Sequence, residues 1–67
     1  MNYTDLIIRL REKMVLSQVE FAKKLGVSFQ TVNRWENGHH EPTFKYKRKI
    51  LGLCKKYGID TEDEANG

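Results

Sequence analysis

The chain has 67 residues. That is one domain, and a domain this small buries only about 60% of the surface of its unfolded chain, which argues against a deep substrate cleft and so against an enzyme. One cysteine, no apolar run longer than Leu6-Ile7-Ile8 and no basic region at the start exclude an internal disulfide, a membrane span of about 20 residues and a signal peptide, so the chain reads as cytoplasmic. The net charge of +3 is uneven: up to residue 58 there are 12 Lys and Arg against 5 acids, and the other four acids follow, which fits either a polyanionic partner or a solvated lysine-rich face.

Apolar residues recur at helical spacing throughout, strand alternation is absent, and the chain reads as all-α. The first helix runs from about Thr4 to Lys13, with Leu6, Ile7, Leu10 and Met14 on one face, Tyr3 close to that stripe and Asn2 or Thr4 as its cap. Ile8 falls off the stripe. Ser17-Gln18-Val19-Glu20 forms a capping box at the start of the second helix, with Leu16 and Phe21 at the positions of a hydrophobic staple. This helix continues through Ala22 and Leu25 and stops at Gly26. Ser28 caps a third helix with Val32 and Trp35 on its inner face, ended by Asn37-Gly38. After the loop Gly38-His39-His40-Glu41-Pro42, a fourth helix spans about Thr43 to Tyr57, with Tyr46, Ile50, Leu53, Cys54 and Tyr57 on one stripe and Gly58 as its stop. Ile59 is placed at the core edge, and residues 60–67 are expected to form a mobile acidic tail.

The second and third helices meet the demands of a helix-turn-helix. The close crossing has the small Ala22, the turn has Gly26, which tolerates positive φ, and Phe21, Leu25, Val27, Val32 and Trp35 anchor both helices on the body. The stretch Gln18-Val19-Glu20-Phe21-Ala22-Lys23-Lys24-Leu25-Gly26-Val27-Ser28, followed by Val32-Asn33-Arg34-Trp35-Glu36-Asn37-Gly38, resembles the Xre-type family of lambda repressor-like DNA-binding domains. The resemblance covers roughly residues 6–58 and includes Arg11 and Pro42. It implies a bundle of four or five helices binding double-stranded operator DNA, commonly as a homodimer. It also implies that Gln18 bonds a phosphate and braces the recognition helix, that Arg11 and Glu36 form a partly buried structural ion pair, and that Asn37 meets phosphate. Against the family pattern, the interval from Pro42 to Gly58 is longer by about one helical turn, and the apolar residues of a fifth helix are missing.

With Val32 and Trp35 facing inward, the recognition helix presents Phe29, Gln30, Asn33 and Arg34. Gln and Asn amides suit adenine in the major groove, Arg34 suits guanine or phosphate, and Phe29 serves either thymine methyls or the core edge. Gln30 and Asn33 have no evident structural role and are the main candidates for base contact. Ser28 sits at a helix N-terminus, a phosphate position. Lys45, Lys47, Arg48 and Lys49 at the start of the fourth helix read as a phosphate clamp or as a solvated basic face. His39 and His40 lack partners at metal-ligand spacing, Cys54 reads as a core residue, and no residue set supports catalysis, so no metal, cofactor or small-molecule substrate is expected. The reading is a sequence-specific DNA-binding transcriptional regulator. Its alternatives are an antitoxin or restriction-modification controller of the same class, and a protein-interaction module with little DNA affinity.

Overall fold

Four helices follow one another in the computed structural model, which describes residues 2–61: α1 (Tyr3–Lys13), α2 (Gln18–Leu25), α3 (Phe29–Glu36) and α4 (Phe44–Lys56). Among the described residues there is no strand, and no helix is long and apolar enough to cross a membrane. The expectations for the tail from Glu62 onward lie outside the described residues.

The helix starts follow side-chain chemistry. Asn2 caps α1, its Oδ1 accepting from the Asp5 N–H at 2.9 Å. Thr4, the other candidate, lies inside the helix and donates its hydroxyl to the Trp35 carbonyl at 3.0 Å, tying α1 to α3. The capping box of α2 is complete: the Glu20 N–H donates to Ser17 Oγ at 3.1 Å and the Ser17 N–H donates to Glu20 Oε1 at 2.9 Å. These two bonds satisfy two amides that the helix itself leaves without partners. Ser28 caps α3 by accepting from the Thr31 N–H at 3.2 Å. Thr43 occupies the N-cap of α4 without a side-chain cap bond.

All four helices stop by the same device. A residue of positive φ follows the last turn, and two backbone N–H groups reach back to carbonyls of that turn, as in the Schellman motif. In α2, Gly26 (φ 78°) donates to the Lys23 carbonyl and Val27 to that of Ala22. In α3, Gly38 donates to Trp35 and His39 to Arg34; in α4, Gly58 donates to Lys55 and Ile59 to Cys54. In α1 the same position is held by Val15 at φ 56°, with Val15 donating to Glu12 and Leu16 to Arg11. A β-branched residue is strained in that conformation.

The core gathers the predicted stripes: Leu6, Ile7 and Leu10 from α1, Phe21, Ala22 and Leu25 from α2, Val32 and Trp35 from α3, Ile50 and Cys54 from α4, and Ile59 beyond it. Burying each large aliphatic or aromatic side chain contributes about 1.5–3 kcal/mol, and the cluster draws on all four helices. The Tyr46 ring sits 5.9 Å from that of Trp35, a tilted pairing that joins α4 to α3. Burial pushes the Cys54 thiol up to about 11, so it is a neutral packing group near pH 7.

Two predictions follow from these termini. Val15→Gly relieves the backbone strain of the α1 stop and raises stability by about 1 kcal/mol; denaturant melts of the two proteins measure it. The hydrogen bonds from Ser17 hold the Glu20 carboxyl below its ordinary value of 4.5. A lowered folded-state value means that this contribution is complete above pH 4.5 and is lost as the pH falls through the folded-state value. The melting temperature therefore declines on acidification, and Glu20→Gln, which keeps an accepting oxygen, flattens that decline.

Candidate nucleic-acid interface

The α2–α3 turn sets the orientation of α3. Gly26 and Val27 carry the chain from the end of α2 to Ser28 with only one residue, Val27, between the C-cap of α2 and the N-cap of α3. Val32 and Trp35 then bury the inner side of α3. At 100° per residue, Phe29, Gln30, Asn33 and Arg34 fall on one arc turned away from that buried side. Phe29, Gln30 and Arg34 are exposed, and Asn33 is half-buried. Phe29 was open between core edge and contact surface, and at 46% relative exposure it stands on the surface.

Beneath this arc runs a continuous chain of polar bonds. Glu36, at the end of α3, has a side chain only 6% exposed. It accepts from Arg11 Nε at 2.7 Å and Arg11 Nη2 at 3.1 Å, a two-pronged ion pair between α1 and α3. The hydrogen bond to Glu36 and the charge of that carboxylate push the Arg11 guanidinium up from its ordinary value, against the opposing cost of burial. Arg11 Nη1 also donates to the Leu16 carbonyl at 3.0 Å, pinning the α1–α2 turn. Gln18 Nε2, at the start of α2, donates to Glu36 Oε1 at 3.0 Å. Asn33 Nδ2 donates to Gln18 Oε1 at 3.3 Å, and Asn37 Nδ2 donates to Asn33 Oδ1 at 3.0 Å.

This geometry corrects the sequence reading of Asn33. Its amide has a structural role, as a link between Gln18 and Asn37. The pattern of buried and exposed positions on α3 carries no sign of it, because the partners lie 15 residues before and four residues after. Gln30 is exposed and stands apart from this chain of bonds. Gln18 keeps a second amide hydrogen, and Asn33 and Asn37 each keep one, so the network leaves donors available at its outer edge.

The four cations at the start of α4 do not all face one way. Lys45 and Lys49 flank the Tyr46 ring, with Nζ atoms 5.4 and 5.5 Å from its centroid. Lys47 lies over the Tyr3 ring at 4.9 Å and 3.5 Å from Glu41 Oε1, so its charge is directed to the α1 side. Arg48 stacks 5.9 Å from the ring of Phe44, which is 74% exposed. At 100° per residue, Lys45, Arg48 and Lys49 fall within one arc and line one shallow groove with Phe44, while Lys47 points away from it.

Between α3 and the loop before α4 lies a groove of about 400 Å³, lined on one side by Ser28, Thr31 and Arg34 and on the other by His40, Glu41 and Thr43. Ser28 Oγ and Thr31 Oγ1 are 2.9 Å apart. The spacing Ser28-x-x-Thr31 was the only signal for this pair. His39 and His40 are both exposed.

A helix-turn-helix profile matches residues 7–63. The chain belongs to the helix-turn-helix family. Within it, the domain is of the Xre, lambda repressor-like type that the residues around Gln18–Gly38 resemble. The chain is also similar to an uncharacterized HTH-type transcriptional regulator of Methanocaldococcus jannaschii, 44% identical over 48 residues, which covers 72% of this chain and 68% of the relative. No solved structure matches it.

The polar chain beneath the helix-turn-helix generates a prediction. Gln18→Ala removes the acceptor of Asn33 and one donor to Glu36. It lowers stability by about 1 kcal/mol and shifts the side-chain amide resonances of Asn33 and Asn37, which NMR of the labelled chain reads directly. Unmoved Asn33 and Asn37 amides would show that the linked arrangement does not persist in solution.

Proposed function

We propose that this chain binds double-stranded DNA in a sequence-specific manner and acts as a transcriptional regulator, with α3 as the helix that enters the major groove. The observation that carries the reading is the division of α3: Val32 and Trp35 are buried while Phe29, Gln30 and Arg34 stand exposed on the opposite arc. The regulator of Methanocaldococcus jannaschii, similar over most of both chains, supports it.

In this reading Gln30 pairs with a base edge, most suitably adenine. Phe29 packs on thymine methyls, and Arg34 takes guanine or phosphate. Asn33 reaches a base with the hydrogen left free by Gln18. Gln18, Ser28 and Asn37 hold phosphates at the helix termini, and Lys45 and Arg48 add charge from α4. Lys47, held by Tyr3 and Glu41, contributes to the general field alone. The reading assigns no catalysis, cofactor or small-molecule substrate. A homodimer would place two copies of α3 one turn of duplex apart and read a palindrome.

Selection from random duplex DNA at two salt concentrations tests this. The expected result is one enriched motif whose binding weakens steeply with salt. On that motif Gln30→Ala costs about 1–3 kcal/mol and relaxes preference at one base pair, whereas Lys45→Ala weakens all sequences alike and lowers the salt slope by about one. Absence of enrichment together with absence of salt-sensitive binding would overturn the reading.

A further inference from the structure

A second groove lies between the end of α2 and the middle of α4, lined by Lys24, Leu25, Lys49, Gly52 and Leu53, with a volume of about 370 Å³. It shares no residue with the exposed arc of α3. Its floor is apolar, formed by the half-buried Leu53 with the buried Leu25 beneath, and Lys24 and Lys49 stand exposed at its margins. The Lys49 ammonium rests 5.5 Å from the Tyr46 ring, which steadies it at the edge.

Gly52 is the unexplained residue. It lies inside α4, where glycine is costly relative to alanine because it loses the most backbone freedom. Its φ is not in the positive range, and a Cβ built on it meets nothing within 4 Å. Neither conformation nor space within the chain calls for glycine there. A bare helix backbone at an exposed position permits close approach from outside.

We propose that this groove is a docking site for an acidic, amphipathic peptide segment of a protein partner. The apolar side chains of such a segment cover Leu53, its backbone approaches α4 at Gly52, and its carboxylates pair with Lys24 and Lys49. The charge argues against a second copy meeting face to face, since each would bring the same lysines. The apolar floor argues against a phosphate backbone, which has nothing to bury there. The groove shares no residue with α3, and the proposal does not depend on the DNA reading.

The test is selection of random peptides of about 16 residues, displayed on phage, against the full chain, with the enriched peptide then titrated into isotope-labelled protein. The expected outcome is convergence on peptides that combine Asp or Glu with apolar residues, and amide shifts centred on Lys24, Leu25, Lys49, Gly52 and Leu53. Lys24→Glu with Lys49→Glu abolishes this binding and leaves the base preference on DNA unchanged, while the lost positive charge weakens all DNA sequences alike. Gly52→Ala raises the melting temperature yet weakens the peptide by about tenfold or more, a combination that misfolding cannot produce. The proposal is overturned by selection without convergence, by peptides indifferent to the two charge reversals, by shifts centred on α3, or by unchanged affinity in Gly52→Ala. Sedimentation showing self-association that Gly52→Ala removes, or an oligonucleotide that shifts these same five amides, would assign the groove to another occupant and overturn it as well.

Discussion

Glu36 is the constraint on which the arrangement of the helices depends. A carboxylate at the end of a helix opposes the helix dipole, and this one is almost fully enclosed. It is tolerable only because Arg11 meets it with two bonds and Gln18 with a third. Those three bonds come from α1 and from the start of α2, so the cost of enclosing the charge is offset only when α1, α2 and α3 sit in one relation to each other. Hydrophobic burial brings these helices together without strong directional preference; the carboxylate and its donors supply the direction. The Arg11 bond to the Leu16 carbonyl extends the same control to the turn before α2.

The consequence for function is that α3 is held from behind while its front is left open. Val32 and Trp35 fix it by packing, Thr4 fixes the Trp35 carbonyl, and Glu36 fixes its end. Gln30 and Arg34 remain exposed. Asn33 and Asn37 occupy the border, bonded inward to the network and retaining donors outward. A reading helix needs this division, because recognition by amide pairs demands side chains placed to within a fraction of an ångström on a rigid support.

Much of this was legible in the sequence because the relevant signals are local. The Ser17–Glu20 box, the Ser28 cap and the glycine stops at Gly26, Gly38 and Gly58 each lie within a few residues of the feature they specify, and the helical stripes named the core from Leu6 to Ile59. The Arg11–Glu36 pair was available only through resemblance to a family, since nothing local joins residues 25 apart. Three features had no local signal. Val15 adopts the backbone of a helix stop with a residue that normally avoids it. Asn33 turns inward because of Gln18, a distant residue. Lys47 joins Tyr3 and Glu41 because its position on α4 faces away from that of Lys45, which the clustering of cations along the chain conceals.

The most direct test of the account is a double-mutant cycle on Arg11→Met and Glu36→Leu, measured by denaturant unfolding at low and high salt. The account predicts a coupling of about 2 kcal/mol or more, since the carboxylate is enclosed and the pair partly buried and two-pronged, with most of it surviving high salt because bulk ions screen a partly buried pair weakly. A coupling below about 0.5 kcal/mol, or one that disappears in high salt, is the behaviour of a surface pair and would contradict the claim that Glu36 organises the helices around it.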